Sequence, residues 1–179
     1  MNKFDLKEMD EEEMCLATMN NEVTVQSIGL IGENKKGMFS LSSIHGISVW
    51  DLEKEQRVFK CEDLRKIQVG INYEIEYAVD CKSNKYSNLS CMVGDEMGRC
   101  SLLNITPNNI SLLSNFHGDG HNERVRSFEW SDDNIIYTGG EDSRLCVWKW
   151  KEQSNPSPNF NLNPSLLNMK KNENLFNPY

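Results

Sequence analysis

Apolar, β-branched and aromatic residues fall in short runs along this chain, and each run is bounded by Gly, Asn, Asp or Ser. The runs are Val25–Ile31, Met38–Ser42, Ile47–Leu52, Arg57–Cys61, Glu74–Val79, Leu89–Val93, Arg99–Ile105, Ile110–Phe116, Val125–Trp130, Ile135–Thr138 and Leu145–Trp150. Helical periodicity is hard to find. Short runs closed by turn residues read as strands, and here they come in groups of about four. The pattern predicts an all-β sandwich, barrel or propeller. At the start of the chain, Lys3–Leu6 reads as the end of another strand, and Met14–Met19 as one more.

One unit recurs. In Gly46–Cys61 an apolar strand ends in Trp50-Asp51, then come a charged turn and another strand. Arg144–Gln153 follows the same plan with Trp148-Lys149, and Arg99–Phe116 follows it with Leu103-Asn104. Trp50, Leu103 and Trp148 recur at intervals of 53 and 45 residues, at and somewhat above the roughly 40–45-residue period of a propeller blade built from four strands. The most complete unit is Gly118–Trp150. Gly120-His121 precedes the strand Val125–Trp130, Ser131-Asp132-Asp133-Asn134 makes a hairpin turn, and Gly139-Gly140-Glu141-Asp142-Ser143 makes a second turn before Leu145–Trp148.

These residues resemble a WD40 repeat along the unit's whole length. The order of the blades is similar to the C-terminal part of the WD repeat-containing protein 89 family, over roughly Lys3–Trp150. The resemblance implies a partial WD40 β-propeller of about three blades plus the end of a preceding one. Its divisions are 1–22 (outer strands of a preceding blade), 23–64 and a degenerate 65–117 (two blades), 118–153 (the best-matched repeat) and 154–179 (an Asn/Pro-rich tail expected to be disordered). It also implies that His121, Thr138, Asp142 and Trp148 form a buried hydrogen-bonded tetrad. Buried polar groups need partners, and these four can supply one another: Asp142 accepts, and the Trp148 indole donates to the Thr138 hydroxyl.

The other two blades depart from the pattern. Before Trp50, Leu41-Ser42-Ser43 is read as supplying the strand hydroxyls, and His45-Gly46 as a turn one residue tighter and without the Asp. In the middle blade Met97 takes the place of the turn Asp and Leu103 that of the Trp. Both blades are therefore expected to rely on packing. His45 and His117 read as lone turn or surface histidines, and Cys146 as a small buried hydrophobe.

Composition narrows the function. The net charge is -8 across 179 residues, and the pI is near 4.9. An acidic chain does not attract phosphate backbones, so direct nucleic-acid binding is not expected, and basic peptides suit it better. No apolar run approaches a membrane span of roughly 18 residues, and the N-terminus has no apolar leader. The expectation is an intracellular protein, cytoplasmic or nuclear, whose six cysteines stay as thiols. No C-x-x-C pair supports a metal site, and no cofactor is expected.

Loops held on a rigid scaffold carry binding. The chain is therefore read as a non-catalytic protein-interaction scaffold, a fragment of a larger propeller that needs further N-terminal blades to close. Asp119, Arg124, Glu141 and Arg144 are the candidate partner contacts. One alternative is a structural subunit of a large assembly, in ribosome maturation or chromatin. The other is a hydrolase using His121 and Asp142 with Ser127 or Ser143, for which the chain has no Gly-x-Ser-x-Gly elbow.

Overall fold

A computed structural model describes residues 2–4, 15–83, 89–116, 118–131 and 135–149. His117, the hairpin residues 132–134, Trp150 and the tail over 154–179 lie outside the described residues. Thirteen strands occur among the described residues: β1 (Asn2–Phe4), β2 (Cys15–Thr18), β3 (Val25–Ile31), β4 (Gly37–Ser42), β5 (Ile47–Asp51), β6 (Gln56–Cys61), β7 (Tyr77–Ser83), β8 (Leu89–Gly94), β9 (Cys100–Ile105), β10 (Ile110–Phe116), β11 (Val125–Trp130), β12 (Ile135–Gly140) and β13 (Leu145–Lys149). They form antiparallel meanders: β1-β2, β3-β4-β5-β6, β7-β8-β9-β10 and β11-β12-β13. The last three sheets are the blades, numbered here 1 to 3.

The innermost strands stand side by side, with β7 touching both β3 and β11. Ser27 on β3 donates to Asp80 on β7 at 2.8 Å, and Lys82 on β7 pairs with Glu129 on β11 at 3.1 Å. Polar residues thus tie the inner strands together, while apolar residues fill the space between blades. Side chains alternate across a strand, so each blade feeds two cores. Phe39, Leu41, Ile47 and Val49 of blade 1 meet Ala78, Cys91, Val93 and Leu103 of blade 2. Met92 and Leu102 on blade 2's other face meet Phe128 and Ile136 of blade 3. This double coverage is why β4, β5, β8 and β9 are buried at every position. Met19, after β2, caps Met38 and Trp50 on the far side of blade 1.

Three sequence expectations are corrected. The strand expected over Glu74–Val79 lies at Tyr77–Ser83. Its polar residues Asp80 and Lys82, beyond the end of the expected strand, bond to the neighbouring inner strands. The turn before Trp50 is not tighter than the others. Cross-strand partners Leu41 and Ile47, Gly94 and Cys100, and Gly139 and Leu145 bracket hairpins of equal length. Within them His45, Gly98 and Ser143 hold the same place with positive φ of 65°, 79° and 62°. Cys146 is half-buried rather than buried, because β13 is the outermost described strand of its blade. A 3-10 turn, Leu64–Lys66, which was not expected, is capped by the Asp63 carboxylate and buries Leu64 under the blade 1–2 contact.

Candidate functional site

The hairpins 42–46, 95–99 and 140–144 and the connections entering β7 and β11 lie on one rim of the arc. In blade 3 that rim is organised from inside. His121, four residues before β11, is buried, and its Nδ1 lies 3.0 and 3.1 Å from the two Asp142 oxygens. Its Nε2 lies 2.8 Å from Thr138 Oγ1 on β12, and Trp148 Nε1 on β13 donates to the same oxygen at 2.8 Å. The structure therefore brings His121, Thr138, Asp142 and Trp148 together in one chain of hydrogen bonds.

A carboxylate facing Nδ1 calls for N–H there, and the Thr138 oxygen, which accepts the indole N–H, has a hydrogen it can donate to Nε2. Asp142 also accepts the backbone N–H of Asn122 at 3.0 Å and of Arg144 at 3.1 Å. Desolvation pushes its carboxyl up, but the bonds from His121, Asn122 and Arg144 outweigh this and hold it down at about 2. The network joins the loop before β11 to the hairpin between β12 and β13.

Two glycines make room for it. A Cβ on Gly140 would stand 2.5 Å from His121 Nδ1 and 2.7 Å from Asp142 Oδ1, and one on Gly120 would enter the Trp148 ring. Gly98, at the left-handed position of blade 2's hairpin, lies against the His121 carbonyl, where a Cβ would be 2.6 Å away. Phe116 of blade 2 meets the Trp148 ring edge-on at 5.3 Å between centroids. Blade 2 thus braces the network of blade 3.

Blade 1 carries a related network that sequence reasoning missed. Ser40 donates to Asn21 Oδ1 at 2.7 Å and accepts the Trp50 indole N–H at 3.1 Å. Asn21 is buried four residues before β3, as His121 stands four before β11. That spacing is the signal that could have found it. The expectation that blade 1 relies on packing alone is corrected accordingly. Blade 2 has Val93 and Leu103 at the hydroxyl and indole positions, both in the apolar core against blade 1. Replacing both partners of a hydrogen bond by apolar groups leaves nothing unsatisfied. Its hairpin is held by Asp95, which accepts the N–H groups of Met97 and Arg99 and the Arg99 guanidinium at 2.6 Å.

His45 is more than a turn residue. Its Nδ1 accepts the Ala78 N–H at 3.2 Å across the blade 1–2 boundary. Burial, with the nearby Arg65 and Arg124 charges, pulls its pKa below the ordinary value.

Of the candidate partner contacts, Asp119 is exposed. Arg124 pairs with Glu96 of blade 2 and lies over the Tyr77 ring at 4.7 Å. Glu141 accepts from Arg126 Nε at 2.7 Å, and Arg144 donates to the Gly120 carbonyl at 2.8 Å. The four share the rim, but three are already tied to other residues.

The hydrolytic arrangement finds no usable nucleophile in this geometry. The nitrogen that would activate one faces the buried Thr138 hydroxyl, not Ser127 or Ser143, and that hydroxyl already accepts the indole N–H. Among the described residues no group of three His, Cys, Asp or Glu side chains is placed to hold a metal, and no helix is long and apolar enough to cross a membrane.

No family model matches the chain. It is 25% identical over 158 residues to WD repeat-containing protein 89 homolog of Dictyostelium discoideum, covering 86% of this chain and 43% of the relative. It is 24% identical over 159 residues to WD repeat-containing protein GTS1 of Arabidopsis thaliana, covering 82% and 41%. Among solved structures, a chain of the Crystal Structure of Mitotic Checkpoint Complex superposes with TM-score 0.54 at 14% identity, over 72% of this chain and 38% of that one. The RRP9 WD40 repeats superpose with TM-score 0.51 at 14% identity, over 73% and 36%. The chain thus spans about two-fifths of the length of these proteins, and its blades have the WD40 propeller fold.

Proposed function

We propose that this WD-repeat chain is a non-catalytic protein-binding scaffold that uses the rim carrying its three hairpins. One observation carries the reading: every titratable group at the centre of blade 3's rim is engaged in holding loops. His121 and Asp142 clamp the segment 118–124 to the hairpin 140–144, and their reactive atoms face inward. Such a clamp gives shape and rigidity, which binding needs, and the hydroxyl that meets His121 Nε2, that of Thr138, is buried out of reach of a substrate.

His121, Thr138, Asp142 and Trp148 act as the structural tetrad in this reading, and Asp119, Arg124, Glu141 and Arg144 form the contact surface. Asp119 is the freest of these. Arg124, Glu141 and Arg144 contribute through exposed edges while held in place, so little side-chain entropy is lost on binding. The chain's net charge of -8 favours basic segments of protein partners. Membership of a multi-protein assembly has some support of its own, since one of the structures sharing the fold is part of a complex.

The test is affinity purification of the full chain from its native cells with quantitative mass spectrometry. Asp119→Lys combined with Glu141→Lys is compared with wild type and with charge reversal at Glu33 and Lys35, in the β3–β4 turn. A partner lost with the first variant and retained with the second supports the rim. An unchanged set of partners contradicts it.

A further inference from the structure

We infer that the hairpin tips of blades 1 and 2, Ile44 and Met97 with the carboxylates around them, dock a basic segment of a partner protein that carries large apolar side chains among its lysines or arginines. The inference rests on the reading of this rim as a binding surface and names the class of segment it takes.

Register puts the two side chains at one place in the fold. The bracketing pairs Leu41 and Ile47, Gly94 and Cys100, and Gly139 and Leu145 set Ile44, Met97 and Asp142 at the middle of their hairpins. In blade 3 this residue turns inward, where Asp142 meets His121. In blades 1 and 2 it is apolar and bare: Ile44 is 50% exposed and Met97 68%. Neither belongs to a hydrophobic cluster. Neither side chain holds its own turn: Ser42 Oγ accepts the Gly46 N–H at 2.9 Å in blade 1, and Asp95 holds the hairpin of blade 2. Single exposed apolar residues are common on protein surfaces. Here the same position is bare in two adjacent blades, and one sign of charge lies between.

The connection 62–76 spans the two tips. The Leu64 N–H donates to the His45 carbonyl at 2.9 Å beside Ile44, and the Glu76 carboxylate accepts the Glu96 N–H at 2.7 Å beside Met97. Segment 118–124 continues past Met97, with the Gly98 backbone against the His121 carbonyl. The basic side chains of this surface are already engaged: Arg65 and Lys66 with Asp63, Arg99 with Asp95, and Arg124 with Glu96. Among the described residues, the exposed Glu74, Asp119 and Glu123 have no ion pair, and Glu76 meets only a backbone N–H. The unbalanced charge between and beside the tips is therefore negative.

These two properties select the partner. Covering Ile44 and Met97 stabilises a complex when apolar atoms meet them and water leaves. A cationic segment is drawn to the four carboxylates, and an acidic one is repelled at the same place. Apolar contacts at the centre supply most of the affinity, and the surrounding charge sets orientation and rate of association. The surface lies over the blade 1–2 and blade 2–3 boundaries, both of which the chain contains.

The test is fluorescence polarisation of the full chain with labelled synthetic peptides in which two leucines are separated by one to five lysines. The same peptides with serine for leucine, or with glutamate for lysine, are the comparison. A lysine–leucine peptide is expected to bind, and both replacements to weaken it strongly. Ile44→Ser/Met97→Ser changes two exposed side chains, so the urea midpoint is kept, and binding is expected to fall about tenfold or more. Glu74→Gln/Glu123→Gln is expected to weaken binding and to reduce its dependence on salt. Val147→Ser removes an exposed apolar side chain from the outermost described strand of blade 3 and is expected to change nothing. Failure of every lysine–leucine peptide to bind overturns the inference. So does binding that Ile44→Ser/Met97→Ser leaves intact, or that Val147→Ser removes, since the peptide then sits elsewhere. Partners lost with Asp119→Lys/Glu141→Lys while no such peptide binds overturn this inference alone and leave the rim reading standing. An unchanged set of partners with no peptide bound overturns both.

Discussion

Replacing Thr138 by Val removes one hydroxyl and almost no volume, so it isolates the polar network from packing. In the wild type that oxygen accepts from Trp148 Nε1 and lies 2.8 Å from His121 Nε2, in a side chain buried between blades 2 and 3. Valine has the same branched shape and suits a strand equally well. It strands two buried polar atoms, the indole N–H and the imidazole Nε2. Each unsatisfied buried group costs about 1–3 kcal/mol, so the substitution is expected to destabilise by about 3 kcal/mol in total. Thr138→Ser keeps the hydroxyl and loses one methyl, at about 1 kcal/mol. Ser40 already fills this role in blade 1. For a chain of this size about 1 kcal/mol moves the melting temperature by about 2–4 °C, giving about 6–12 °C for Thr138→Val and about 2–4 °C for Thr138→Ser. Urea denaturation followed by tryptophan fluorescence measures the free energies, with calorimetry for the temperatures. In a Trp148→Phe background the donor is gone, so the cost of Thr138→Val falls by about the share of one unsatisfied group. A Thr138→Val protein more stable than Thr138→Ser would refute the reasoning.

Gly140→Ala puts a methyl against His121 Nδ1 and Asp142 Oδ1 and is expected to cost about 1–3 kcal/mol by denaturation, while Gly70→Ala, where nothing lies within 4 Å, pays only for its positive φ of 80°. Asn21→Leu is expected to cost about 1–3 kcal/mol in the same assay by leaving the buried Ser40 hydroxyl without its acceptor. Asp142 has a folded pKa of about 2 against an ordinary 3.8, so its stabilisation is full above 3.8 and is lost as pH falls toward 2. Asp142→Asn is expected to be less stable at neutral pH and to flatten that acid limb. His45, an acceptor whose pKa is depressed below 6.5, stabilises fully above 6.5 and less as pH falls below it. His45→Asn, which tolerates the left-handed turn, is expected to remove that dependence from the urea midpoint.

Strand positions were readable because each blade interior is apolar and each hairpin is marked by turn residues, which are local signals. The tetrad residues of blade 3 could be named for a similar reason: all four residue types are the familiar ones at familiar spacing. Asn21 escaped notice because an amide replaced the imidazole and the turn carboxylate was absent, with Ile44 in its place. What identifies Asn21 is its distance from β3 and the Ser40 hydroxyl it meets, and both depend on the fold. Asp80 and Lys82 were misplaced because inner strands tolerate charge where it pairs with the next blade. The exposure of Leu145 and Val147 could not be read at all. Their sequence is that of a buried strand, and only the neighbouring sheet decides whether it is covered.

The state of the His121 ring tests the account most directly. Nitrogen NMR of histidine-labelled protein at neutral pH is expected to show Nδ1 carrying a slowly exchanging proton and Nε2 as a bare acceptor, with the proton resonance lost in Asp142→Asn. A ring protonated on Nε2, or one averaging rapidly between the two forms, would contradict a clamp running from Asp142 through His121 to Thr138 and Trp148.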